Sequence, residues 1–207
     1  AAMGAEIAGR GPGGVPVRAE IDSRKIEGGE LFFGLTGGAS DGGEHAAGAI
    51  GSGAWGVVVE PARAVGLADS GAFVFSTVDP LLSLQKLALA WRRELGATVI
   101  GITGSVGKTS VKDITRAILP GRVHGSAENF NTEIGLPLTI LEAGPETETL
   151  VLEMAMRGAG QVAELAWIAE PDIGVITNVG PVHVELLGSI EAVAAAKAEL
   201  IAGLKDG

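Results

Sequence analysis

Thr103-Gly104-Ser105-Val106-Gly107-Lys108-Thr109 stands between an apolar run, Thr98-Val99-Ile100-Gly101-Ile102, and a segment with helical spacing, Ser110 to Leu119. The order of strand, glycine-rich turn and helix decides the fold class. Such a turn aims backbone N–H groups at one point, and the positive end of the following helix favours an anion there. Lys108 adds a charge for β- and γ-phosphates, and the Thr109 hydroxyl is placed to bind Mg²⁺. Gly104, Ser105, Gly107, Lys108, Thr109 and Ser110 are therefore the candidate binding residues for a nucleoside triphosphate such as ATP. The turn departs from the strict pattern. Ile102 stands where a glycine is expected, and Gly104 gives a shorter G-x-x-G-K-T.

Downstream, Thr149-Leu150-Val151-Leu152 and Ile173-Gly174-Val175-Ile176-Thr177 read as strands, with helices over 160–169 and 190–204. Apolar strands alternating with helices predict a parallel sheet covered on both faces. Only three strong strands are legible in this part, few for a nucleotide-binding sheet, so it is expected to be truncated at its C-terminus. Upstream, Leu84, Leu87, Ala88, Trp91 and Leu95 form one apolar stripe of a helix. Residues 1–79 read as a smaller α/β unit. Its strands are expected at Leu31-Phe32-Phe33-Gly34-Leu35, Gly56-Val57-Val58-Val59 and Ala72-Phe73-Val74-Phe75, with a short helix between His45 and Ala54. Asp79-Pro80 is the expected seam, because proline restricts the residue before it. The fold class is thus α/β, a small N-terminal domain (1–79) followed by a P-loop parallel-sheet domain (80–207).

Hydrophobic residues make up 46% of the 207 and charged residues 19%, which predicts a packed core. A net charge of −10 argues against nucleic acid held by a basic surface. The absence of cysteine removes disulfides and thiolate chemistry. No run approaches the ~18 apolar residues that span a bilayer. The expectation is a cytoplasmic monomer without a membrane or nucleic-acid partner.

In open parallel sheets, ligands bind beyond the carboxyl ends of the strands. Glu153, Asn178 and His183 follow such ends. Oxygen and imidazole groups around a triphosphate suit Mg²⁺ or Mn²⁺, although Glu153 also reads as a solvated strand-end acid and His183 as an ordinary loop histidine. Lys197 lies on the apolar stripe of Val193, Leu200, Ile201 and Leu204. It either snorkels to the stripe's edge or is held inward, where burial would lower its pKa and favour a CO₂-reactive amine. Asn129 and Asn131 flank Phe130, as substrate-positioning amides or as part of a helix cap. Asp22-Ser23-Arg24 reads either as a polar turn or as a group that meets a uracil edge or diphosphate. Gly9-Arg10-Gly11-Pro12-Gly13-Gly14 matches G-x-G-x-x-G formally, but Pro12 and Pro16 leave no helix for it to open.

Taken in order, Asp22-Ser23-Arg24, Gly29-Glu30-Leu31-Phe32, Thr103 to Thr109, Glu128-Asn129-Phe130-Asn131, Leu152-Glu153-Met154, Thr177 to His183 and Lys197 in Ala-Ala-Lys-Ala-Glu-Leu resemble the Mur ligases, over essentially the whole chain. The resemblance implies a first unit that holds the UDP end of the substrate through Asp22, Ser23 and Arg24, and a second that is an ATPase domain. It implies that Lys108 binds phosphate, Thr109 and Glu153 one Mg²⁺, and His183 and a carbamylated Lys197 a second, with Lys108, Lys197 and His183 the catalytic set. Asn178 would join the nucleotide site, and Asn129 and Asn131 the substrate site. The implied reaction joins D-Ala-D-Ala to UDP-N-acetylmuramoyl-tripeptide through an acyl phosphate, as Lys112-Asp113 and Asn129 to Pro137 point to that member. The alternatives are a sister ligase that adds the third amino acid, or a P-loop nucleotide-binding fragment without ligation chemistry. Three positions depart from the family, Gly43, His45 and Val106. Asp41-Gly42-Gly43-Glu44-His45 stands where Asp-Gly-His-x-Phe is common, and Val106 replaces an Asn of the turn.

Overall fold

The computed structural model describes residues 2–37, 41–127, 129–182 and 184–205. They form two compact units, Ala1–Leu87 and Ala88–Gly207.

The first unit carries β1 (Glu6–Gly9), β2 (Ala19–Glu20), β3 (Leu31–Phe33), α1 (Ala46–Gly51), β4 (Gly56–Val59), α2 (Pro61–Ala64) and β5 (Phe73–Ser76). The sheet order is β1-β5-β4-β3-β2, with only β1 antiparallel to its neighbour. Val57, Val59 and Val74 face Ala46, Ala49 and Ala64 of the two short helices, where alanine lets helix and sheet approach. Side chains alternate along a strand, so Phe73 and Phe75 point the other way, and Phe73 stacks on Trp55 with ring centroids 4.4 Å apart. The helix expected over 45–54 is shorter, and β1 and β2 are additions to the sequence reading.

The helix α3 (Pro80–Leu95) begins at the expected seam. Asp79 caps it: its carboxylate accepts from Leu82 N at 2.8 Å, and Pro80 takes the first helical position, where no N–H is missed. The two units part inside this helix, after Leu87.

The second unit contains β6 (Thr98–Thr103), α4 (Lys108–Ile118), β7 (Val123–Gly125), α5 (Gly135–Glu142), β8 (Thr149–Glu153), α6 (Gln161–Ala169), β9 (Ile173–Ile176), α7 (Val184–Leu187) and α8 (Ile190–Ala202). Four parallel strands run in the order β7-β8-β6-β9, one more strand than the sequence reading finds. Ile100, Ile102 and Val151 pack under Val111 of α4 on one face. Val99, Leu150, Leu152 and Met154 pack under α5, α6 and α8 on the other. Ser189 caps α8 by accepting from Ala192 N at 3.1 Å.

Buried Arg92 ties this unit together. Its guanidinium donates to Ala169 O at 2.8 Å, Glu170 O at 2.7 Å and Asp172 Oδ2 at 3.0 Å. Asp172 Oδ2 also accepts from Val99 N at 2.7 Å, so one cluster fixes the end of α6 and the start of β9 against β6. Losing one member of such a group strands the others. Arg92→Met is expected to cost about 3 kcal/mol in urea unfolding. A cost below about 1 kcal/mol would mean that water replaces the guanidinium without penalty.

Candidate nucleotide site at the strand ends

The parallel register sets Ile102 beside Glu153 and Thr103 beside Ile176, so three strands end along one edge. The turn from Gly104 to Gly107 leaves this edge and opens α4. Gly107 has φ 82° and Gly104 φ 152°, both in the region that favours glycine. A Cβ on Gly104 would also lie 1.8 Å from Thr177 Oγ1. Glycine here therefore serves both backbone conformation and the close approach of the loop after β9.

That loop clamps the turn. Asn178 Oδ1 accepts from Ser105 N at 3.1 Å and Val106 N at 3.0 Å. Thr177 Oγ1 donates to Val106 O at 2.7 Å, and Ser105 Oγ accepts from Gly180 N at 2.9 Å. Asn178 thus reaches the turn by accepting from two of its amides. Lys108 Nζ donates to Gly104 O at 3.0 Å. Ser110 is exposed on the first turn of α4.

Glu153 is not a solvated strand-end acid. It is the last residue of β8 and only 6% exposed. One carboxylate oxygen accepts from Thr109 Oγ1 at 2.8 Å and the other from Asn131 Nδ2 at 2.9 Å. Its amide donates to Ser126 Oγ at 3.3 Å, and buried Lys112 donates to Ser126 O at 2.9 Å. Thr109 and Glu153 therefore present oxygen donors beside the P-loop lysine, the donor type that a hard cation such as Mg²⁺ takes. Among the described residues, no group of three or more His, Cys, Asp or Glu side chains could hold a metal ion by itself.

Lys197 is 2% exposed on α8, so the inward of its two readings is the one realised. Its amine has no hydrogen-bond or ion-pair partner among the described residues. Burial pushes its pKa below the usual lysine value, and the positive charge of Lys108 adds to the shift. His183 lies outside the described residues. Asn129 is exposed, with φ 68°, and does not join Asn131 at Glu153.

In the first unit, Asp22 caps a 3-10 turn over Ser23–Lys25. Arg24 grips the Asp22 carboxylate from Nε at 2.8 Å and from a terminal nitrogen at 2.7 Å. The Arg24 guanidinium and amide hold the Asp22 carboxyl down to about 2. The trio thus forms a polar turn whose charges are already paired. At the departing loop, Asp41 and Glu44 both bind Arg63, at 2.7 and 2.9 Å, around buried Gly43. Ser126 was not legible in the sequence, nor was the bond of Thr177 to the turn, since these contacts connect distant segments.

A strand, glycine turn and helix with Lys108 and Thr109, faced by a strand-end carboxylate in a parallel sheet, define a P-loop protein of the α/β class. Residues 102–207 match the Mur ligase middle domain. The chain belongs to the Mur ligase family. It is 46% identical over 184 residues to the UDP-N-acetylmuramoyl-tripeptide–D-alanyl-D-alanine ligase of Synechocystis sp., in a match covering 87% of this chain and 40% of that protein. The Bacillus subtilis ligase of the same name is 44% identical over 187 residues, covering 89% of this chain and 40% of that one. The solved structure of the Thermotoga maritima MurF ligase in complex with ADP aligns with a TM-score of 0.80 at 35% identity, over 92% of this chain and 44% of that chain. The chain thus spans about two-fifths of the length of the curated relatives it matches.

Proposed function

We propose that this chain is the UDP-substrate-binding and ATP-binding part of a ligase of peptidoglycan precursor synthesis, which joins D-Ala-D-Ala to UDP-N-acetylmuramoyl-tripeptide. What carries the reading is the convergence of Lys108, the Thr109–Glu153–Asn131 chain and the Asn178 clamp at one sheet edge. The names of the relatives favour this reading over the sister ligase for the third amino acid. Lys108 and the amides of Gly107, Lys108 and Thr109, which Asn178 does not take, hold the ATP phosphates. The tripeptide carboxylate takes up the γ-phosphoryl group as an acyl phosphate and ADP leaves. The D-Ala-D-Ala amine then attacks the acyl carbon and expels phosphate. Thr109 and Glu153 would hold one Mg²⁺, and His183 with a carbamylated Lys197 a second. Bound there, Mg²⁺ neutralises charge on the transferring phosphoryl group. Asp22, Ser23 and Arg24 meet the UDP moiety. Arg24 must then exchange part of its grip on Asp22 for the diphosphate, while Asn129 and Asn131 position the peptide. The protein works on this reading as a cytoplasmic monomer without nucleic-acid or membrane partners. No helix among the described residues is long and apolar enough to cross a membrane.

Two measurements test it. On the 207-residue chain, UDP should shift NMR resonances within 1–79, and ATP·Mg²⁺ those of Gly104 to Thr109. In a polypeptide of the relatives' length, ADP release should require both UDP-N-acetylmuramoyl-tripeptide and D-Ala-D-Ala. ADP release indifferent to the amine would reduce the chain to a nucleotide-binding module, and preference for a free amino acid with the dipeptide substrate would make it the sister ligase.

A further inference from the structure

A cavity of about 340 Å³ opens beside Lys108, with Asn131, Glu133, Arg157, Gln161 and Glu164 among its walls. Both carboxylates of its lining have partners. Arg157 is different. Its guanidinium is exposed and has neither a hydrogen bond nor an ion pair among the described residues. The backbone beneath it is held firmly. Gln161 Oε1 accepts from Arg157 N at 2.6 Å and Gly158 N at 3.1 Å, and Ala155 N donates to Asn131 O at 2.9 Å. The amides of Gly160 and Ala163 at the start of α6 are taken by Glu199, at 2.7 and 3.0 Å, so they do not serve the cavity. A held loop therefore presents a planar cation, without a partner among the described residues, to a cavity that Lys108 also lines.

We propose that Arg157 binds the carboxylate of the acyl substrate and aims it at the γ-phosphate, which makes it a specificity-determining residue for the free acid. The inference rests on the ligase reading above. A molecule seated between Lys108 and Arg157 lies next to the terminal phosphate, and its reacting group must be a phosphoryl acceptor. The two parallel donors of a guanidinium match the two oxygens of a carboxylate in one plane. Lys108 acts as a point charge on phosphate, so the two cations sort the two anions.

The test is calorimetry on the whole chain with Mg²⁺ and the non-hydrolysable ATP analogue AMP-PNP, followed by UDP-N-acetylmuramoyl-tripeptide or its C-terminal carboxamide. Arg157→Ala should weaken binding of the acid about tenfold or more, the worth of a charge-assisted pair. It should leave the carboxamide and AMP-PNP unchanged, and Arg157→Lys should recover part of the loss. Equal affinity of parent and variant for the acid overturns the inference and leaves the ligase reading standing. Equal losses for acid and carboxamide overturn it too, because the arginine then acts on the fold or on another part of the substrate. A loss of AMP-PNP affinity would assign the guanidinium to phosphate instead. A parent chain that binds neither acid nor carboxamide overturns the ligase substrate reading, and this assignment falls with it.

Discussion

Lys108→Ala is expected to lower the affinity of the chain for ATP·Mg²⁺ by at least about a hundredfold, the effect of removing a charge-assisted contact to two phosphates at once. The fold should survive. Lys108 Nζ donates only to Gly104 O among the described residues, and the turn that starts at this buried glycine is exposed at Val106 and Gly107. The clamp from Asn178 and Thr177 to Ser105 and Val106 does not involve the lysine, so the turn keeps its shape. A second consequence is electrostatic. The Lys108 charge helps to hold down the Lys197 pKa, so the variant should raise that pKa toward its ordinary value, with burial still opposing the charge. Calorimetry with AMP-PNP reads the first effect, and NMR titration of the Lys197 side chain the second. Nucleotide affinity equal to that of the parent would remove the P-loop assignment. An unfolded variant would instead show that Lys108 is a structural member of the turn.

The strand–turn–helix at the centre of the second unit was readable because every part of it is local. Thr98 to Ile102 is apolar, the glycines come next, and the helical spacing follows. Even so, α4 starts at Lys108 and not at Ser110, because Gly107 in the left-handed region lets the helix begin one residue later. The strand β7 was not legible. Three residues between Gly121 and the Ser126 loop carry no periodicity, and Val123–Gly125 becomes a strand only by pairing with Thr149 to Val151. The site divides in the same way. Lys108, Thr109, Glu153 and Asn178 were legible as residue types at strand ends. Glu153 also read as an exposed acid, because its two donors, Thr109 and Asn131, lie 44 and 22 residues away. The Asn178 amide reaches Ser105 across 73 residues, a contact that only the β6–β9 pairing creates. Asp22 and Arg24 show the opposite case. Their mutual grip is strictly local, yet a motif of charged residues does not announce that its members satisfy one another.

The largest effect on turnover is expected at Lys197. Periodicity placed it on the apolar stripe of α8, where lysines commonly snorkel. In the structure it is buried among Val193, Ala196 and Leu200, without a partner among the described residues, facing the charge of Lys108. The desolvation that lowers its pKa disfavours the charged amine in the folded chain. Its pKa is lower in the folded chain than the 10.5 of the unfolded one, so between the two values the unfolded chain holds more protons. Stability must then rise with pH across that window, and the burial penalty is present in full below it. Lys197→Met removes the penalty, so the variant should be more stable than the parent at neutral pH, with the difference shrinking as pH climbs toward 10.5. The same burial leaves more neutral amine, which can add CO₂ and lose a proton to become a carbamate anion beside the cationic P-loop. In a polypeptide of the relatives' length, Lys197→Met should therefore cut turnover by at least about a hundredfold, roughly 3 kcal/mol of lost charge stabilisation, while raising the unfolding midpoint. Parent activity should rise with added bicarbonate, the variant's should not, and ¹³C-labelled bicarbonate should give a carbamate signal in the parent alone. Near-normal turnover of the variant in bicarbonate-free buffer would leave Lys197 as a buried amine without a catalytic role, and a variant less stable than the parent would mean that the amine has a partner supporting it.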